Sequence, residues 1–142
     1  MLSNCIKNLL NLKEVNVKSV KNLKNSVEIY AELPISEQVC PCCGTTTSKI
    51  HDYYTQPIKD IPIQFKPTTI FLKKTRYECK NCGKSFYPQN DFVAKYKRKS
   101  KRLVYYIVDQ LKNNISASTI AKNINIDAGF ISKMLPYLSI TN

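Results

Sequence analysis

Residues 39–46 read VCPCCGTT and place three cysteines, Cys40, Cys42 and Cys43, within four positions. After a gap of thirty-five residues, 44–78, residues 79–84 read CKNCGK, with Cys79 and Cys82 in C-x-x-C spacing and a glycine next. Only one frame of the first stretch repeats that spacing: Cys40 and Cys43, followed by Gly44. A glycine after the second cysteine lets the turn fold back so that backbone amides approach the sulfurs. Two C-x-x-C-G knuckles at this separation describe a closed four-thiolate site between two β-turns, a zinc ribbon. Cys40, Cys43, Cys79 and Cys82 are the expected ligands of one structural Zn2+, with Cys42 spare at the knuckle tip. A bridge from Cys42 to another thiol is the weaker alternative. A redox C-x-x-C pair competes, but two pairs with matching glycines favour metal. His51 as a substitute ligand competes with a surface or hydrogen-bonded histidine, which four available thiols favour. Cys5 reads as a buried thiol in a first helix.

The rest of the 142 residues divides in style. Leu2, Ile6, Leu9 and Leu10 recur at helical spacing over residues 2–12. Val27, Ile29, Ala31 and Leu33 alternate with Glu28, Tyr30 and Glu32, the pattern of a half-buried strand, and VNVKSV before it suits a hairpin partner. SKIHDYYTQPIKDIPI suggests short strands punctuated by Pro57 and Pro62, and TTIFLKKTRYEC a strand running into the second knuckle. From residue 97 the alternation stops. Leu103, Val104, Ile107, Val108 and Leu111 form a helical stripe, KNNIS ends it, and Ser116 and Asp127 are N-cap residues for two further helices. Asn125 falls where the turn between those helices needs a left-handed residue. Ile120, Ile124, Ile126, Ile131 and Met134 face inward, and Pro136 stops the last helix. The expected fold is therefore α+β: a small β-rich four-cysteine zinc ribbon followed by an all-α helix-turn-helix domain. Its expected divisions are an N-terminal helix and β-hairpin over 1–39, the ribbon over 40–90, a basic linker over 91–99 and the helix-turn-helix over 100–142.

The net charge is +12, and residues 66–102 carry twelve Lys/Arg against only Glu78 and Asp91. Charge this concentrated points to a polyanion, nucleic acid first, with a merely solvated face as the bland alternative. Lys95, Lys97, Arg98, Lys99, Lys101 and Arg102 stand at the mouth of the first late helix, placed to grip phosphates. Ala128, Gly129, Ser132 and Lys133 form the side of the last helix expected to enter a major groove. No continuous apolar start resembles a signal peptide and no stretch approaches a membrane span, so a cytoplasmic chain with no membrane partner is expected.

The order of these segments resembles the N-terminal part of bacterial insertion-sequence transposases of the ISL-three family. The residues carrying the likeness are CPCCG, KIHDYYTQPIKDIPI, RYECKNCGKSF and STIAKNINIDAGFISKML, so it spans roughly residues 28–135. The resemblance implies zinc ligation by Cys40, Cys43, Cys79 and Cys82, a non-ligating Cys42, and recognition of double-stranded DNA at the terminal inverted repeats of a transposon. It also implies a nucleoid-associated protein that partners itself as a homodimer or the full-length transposase. Family members continue into a catalytic domain with three metal-binding acids. Here the sequence stops at Asn142, and the late acids Asp91, Asp109 and Asp127 sit in a linker, a helix and a cap. The expectation is a DNA-binding, non-catalytic chain: a truncated transposase, a fragment or a domesticated piece. A stand-alone helix-turn-helix transcriptional regulator and a zinc-ribbon module for RNA or protein are the rival readings.

Overall fold

The computed structural model describes residues 15–88 and 98–133. The helix expected over 2–12 with Cys5, the basic residues Lys95 and Lys97, Asp91, Met134 and Pro136 lie outside these.

Seven strands and three helices are described. β1 (Asn16–Asn22) and β2 (Val27–Glu32) are neighbours, and Leu23 N–H donates to the Ser26 carbonyl in the turn between them. β2 alternates as its sequence requires: Val27, Ile29 and Ala31 are buried, as is Leu33 just beyond. β3 (Gln38–Val39) and β4 (Thr46–Thr47) make a separate antiparallel pair. β5 (Ile50–Ile63) and β6 (Lys66–Glu78) are long, and β7 (Ser85–Phe86) pairs with the end of β6. The larger sheet runs β1-β2-β6-β5, with β7 joined to β6.

The sequence suggested several short strands broken by Pro57 and Pro62, yet β5 passes through both. The sheet order explains this: β5 is an edge strand, and an edge tolerates residues without an N–H. The β5–β6 connection is a two-residue loop, Gln64–Phe65, with φ of 52° and 62°. Neither residue is one that positive φ favours, so no local signal marked this turn. In β6 the buried positions shift from Thr68, Ile70 and Leu72 to Thr75 and Tyr77. That one-residue offset turns Tyr77 and then Cys79 to the inside.

The chain divides into two compact units. The first comprises residues 1–20, 29–57 and 70–91, and the second 21–28, 58–69 and 92–142. The first holds both knuckles, where Cys40, Tyr77, Cys79 and Phe86 form a small buried cluster. The second holds α1 (Lys101–Lys112), α2 (Ala117–Ile124) and α3 (Ala128–Ser132). Leu103, Ile107, Val108, Leu111, Ile120, Ile124 and Ile131 make their core. Ser116 caps α2 by accepting from Thr119 N–H, and Asn125 ends it at φ 55°, ψ 50°. Asp127 stands at the N-cap of α3 without a side-chain capping bond.

The all-α helix-turn-helix domain expected after the ribbon is not formed. Strand predominates among the described residues, and the three helices are short, of twelve, eight and five residues. They share their unit with residues 58–69 of the β5–β6 hairpin. The join is chemical. Lys59 in β5 makes a parallel bridge with Lys99, in which Lys59 N–H donates to Arg98 and Ser100 N–H donates to Lys59. Asp60, whose side chain is 1% exposed, accepts from the Ser100 hydroxyl at 2.7 Å and from Arg102 Nε at 2.7 Å, with a second bond from Arg102 Nη2 to Oδ2. Ser100 Oγ in turn caps α1 by accepting from Leu103 N–H at 3.2 Å. A partner forty residues away is invisible to periodicity, so Asp60 read as an ordinary strand residue and Arg102 as one more cation for phosphate.

Candidate metal centre

The two knuckles have the same backbone. In the first, Cys40 N–H donates to the Thr45 carbonyl and Gly44 N–H to the Cys40 carbonyl, both at 2.9 Å. In the second, Cys79 N–H donates to Lys84 at 2.9 Å and Gly83 N–H to Cys79 at 3.0 Å. Gly44 and Gly83 take φ of 74° and 75°, the left-handed region that a side chain resists. Each knuckle closes a short antiparallel ladder in the same register, Gln38 with Thr47 and Val39 with Thr46 in one, Tyr77 with Phe86 and Glu78 with Ser85 in the other. The two hairpins are tied: Thr47 Oγ1 donates to the Glu78 carbonyl at 2.9 Å, Glu78 N–H donates to Lys49, and Lys49 Nζ lies 3.2 Å from the Glu78 carboxylate. Buried Tyr77 adds a hydroxyl that accepts from Ser36 N–H at 3.2 Å.

This framework gathers Cys40, Cys43, Cys79 and Cys82 so that their sulfurs all lie within 4.8 Å of one another. Cys40 and Cys82 sulfurs are 3.6 Å apart, and Cys43 and Cys79 sulfurs 3.4 Å. Zinc–thiolate bonds near 2.3 Å in a tetrahedron require sulfurs about 3.8 Å apart, so the donor set fits. Amides face the sulfurs as well. Asn81 and Cys82 N–H donate to Cys79 Sγ at 3.4 and 3.5 Å, and Cys43 and Cys42 N–H to Cys40.

The thiol acidities show what the site demands. Amide donors, Cys43 N–H foremost, lower the Cys40 pKa. The Thr45 hydroxyl, 3.2 Å from Cys43 Sγ, and then the Thr45 N–H bring Cys43 down to about 6. At Cys82 the Lys84 N–H acts in the same direction, but burial and the three neighbouring sulfurs outweigh it and push the thiol up to about 12. Four negative sulfurs cannot share this space unaided, and a dication is the natural counter-charge. Zinc bound there would offset half of the four thiolate charges and cross-link the two hairpins. Four sulfur donors complete a tetrahedral shell, so the site is structural, with no position left for a reacting water.

Cys42 is exposed at the tip of the first knuckle and is not one of the four. His51 is exposed in β5 and is likewise outside the cluster. Nothing in the sequence pointed to Thr45, although it follows the knuckle glycine where the second knuckle has Lys84.

The residues expected to meet DNA are dispersed in role. Arg98 is exposed, and Lys101 is exposed at the start of α1. Lys99 is half-buried, its ammonium 4.0 Å from the Phe130 ring centroid, and burial lowers its pKa. Arg102 is committed to Asp60. Gly129, Ser132 and Lys133 are exposed on α3 or at its end, and Ala128 is half-buried. No helix among the described residues is long and apolar enough to cross a membrane.

Residues 36–82 match the zinc-finger of transposase IS204/IS1001/IS1096/IS1165, a segment that takes in all four clustered cysteines. No curated protein and no solved structure matches the chain.

Proposed function

We propose that this chain binds double-stranded DNA at the ends of a transposable element, using the zinc ribbon as a rigid frame and cutting nothing itself. The observation that carries the reading is the pair of matching knuckles, in a segment similar to a transposase zinc-finger. The charge concentrated in residues 66–102 supports the choice of partner.

In this reading Lys95, Lys97, Arg98, Lys99 and Lys101 neutralise phosphates, and Ala128, Gly129, Ser132 and Lys133 meet base edges. Arg102 acts at one remove, by holding Asp60 and through it the Ser100 cap of α1. A sulfur-closed zinc offers neither the two-metal clamp nor the activated water of strand cleavage. A homodimer or a full-length transposase is the expected protein partner.

The test is fluorescence anisotropy of the zinc-loaded chain on a duplex carrying the inverted repeats that flank its gene, against a shuffled duplex, over a range of salt. Preference for the repeats supports the reading, and equal binding to both removes the assignment to transposon ends. Changing Lys97, Arg98 and Lys101 together to Gln should flatten the log–log salt dependence by about 0.9 for each phosphate no longer neutralised. An unchanged slope returns these residues to a solvated surface. The same duplex incubated with magnesium or manganese should stay intact, and metal-dependent nicking would overturn the non-catalytic reading.

A further inference from the structure

The β5–β6 hairpin ends in a residue that obeys none of the usual reasons for its place. Phe65 is 102% exposed, the most exposed large apolar side chain among the described residues. It sits at φ 62°, directly after Gln64 at φ 52°. A loop with positive φ at both central residues favours Asn-Gly or Asp-Gly. A bulky residue held there is strained, and strain of this kind gathers where a surface is put to use. Nothing among the described residues packs on Phe65, whose ring is fully exposed.

The loop is braced. Lys66 Nζ donates to Asn22 Oδ1 at 2.7 Å and to the Leu23 carbonyl at 2.9 Å, joining it to the β1–β2 turn, and Asn22 Nδ2 reaches Gln64 Oε1 at 3.5 Å. Leu23, 44% exposed, adds a second apolar side chain to this tip. Lys21 and Lys24 flank it, and neither residues 21–27 nor residues 61–69 contain an acid. A braced, outward apolar side chain on a tip that carries lysines and no acid suits the duplex groove, where such side chains enter between base pairs while lysines take the phosphates.

We propose that Phe65 is a wedge: it inserts at a base-pair step of double-stranded DNA and unstacks it, with Lys24 beside a neighbouring phosphate and Lys66 holding the loop in place. The wedge deepens the DNA-binding function proposed for the chain and rests on it. Flexible pyrimidine–purine steps are the expected place of entry.

The experiment uses the zinc-loaded chain and a duplex carrying 2-aminopurine at its TA steps. Wild type should raise the 2-aminopurine emission several-fold. Phe65→Gly, which suits the positive φ and should fold at least as well, should still bind and leave the emission flat. Equal emission with both proteins, or none with either despite binding, overturns the wedge and leaves DNA binding standing. Failure of wild type to bind any duplex overturns both. The chain has no tryptophan, so Phe65→Trp supplies a single reporter. Its emission should be quenched by duplex and indifferent to vesicles of anionic phospholipid. A blue shift on vesicles with no response to duplex would assign the tip to a membrane surface and overturn the proposal.

Discussion

The knuckle hairpins and the helical segment meet the same shortage of core by opposite means. Around the knuckles the buried cluster is four residues, two of them cysteines, and the strands β3, β4 and β7 are two residues each. Ladders that short do not persist alone, and the cross-link comes from sulfur and metal. The helices have seven buried apolar residues instead, and their anchor is a carboxylate. Asp60 is buried, yet its oxygens are filled by Ser100 and Arg102, so the charge is met in place. One region should therefore depend on zinc and hardly on any single apolar side chain, and the other should show the reverse.

Removing zinc tests this most severely. Structural zinc in small peptides is worth about 10–16 kcal/mol at neutral pH. Chelation should expose the Gly44 and Gly83 amides to hydrogen exchange, since their bonds exist only in the folded knuckles. Amides late in α1 should stay protected at the same chelator concentration, and simultaneous exchange would break the comparison. Metal analysis of single variants sharpens it. Cys40→Ser, Cys43→Ser, Cys79→Ser and Cys82→Ser should each lose zinc, while Cys42→Ser keeps one ion per chain. Acid should act like chelation. In the metal-free knuckle Cys43 is held at about 6, so its contribution is fully present above the ordinary value of 9.0 and is lost as pH falls through about 6; zinc favours the thiolates and moves that loss to lower pH.

The second test strikes the helical segment. Arg102→Ala takes the guanidinium from the buried Asp60 carboxylate and leaves it the Ser100 hydroxyl, and breaking such a pair costs about 3–5 kcal/mol. Urea unfolding should show that loss while zinc content is unchanged. Leu103→Ala removes a fully buried side chain from the same region and should cost about 2–5 kcal/mol. Loss of zinc from either variant would mean that the two regions are not stabilised independently.

What was legible in the sequence follows the range of the interactions. The sulfur site could be read because each knuckle is local and its glycine offset repeats; only the pairing of the two knuckles is long-range. The Leu103 stripe, the Ser116 cap and the left-handed Asn125 are likewise decided within a turn or two of chain. What escaped was set at a distance or ran against propensity. Asp60 finds Ser100 and Arg102 across about forty residues, and without that link the helices read as a domain of their own. Gln64 and Phe65 turn the chain without the residues that usually do so. The Cys43 environment depends on Thr45, a side chain with no signature of its own.

The smallest expected effect compares two left-handed turns, one carrying a residue that suits it and one not. Asn125 sits at φ 55°, ψ 50° after α2, and its N–H, like that of Ile126, returns to the Ala121 carbonyl. Its backbone must stay there for Ile126 to pack toward the helical core. Asparagine tolerates this region better than other L residues, whereas alanine meets its steric cost in full. Asn125→Ala should therefore lower stability by about 1 kcal/mol, and Asn125→Gly should change it by only a few tenths. At Gln64, also left-handed but filled by a residue with no such tolerance, Gln64→Asn should move stability the other way, by less than about 1 kcal/mol. Both are read as shifts of the urea midpoint at constant slope. Opposite signs at the two turns would show that backbone conformation governs both positions. Equal destabilisation would show that the side chains themselves, through bonds such as Asn22 to Gln64, carry the effect.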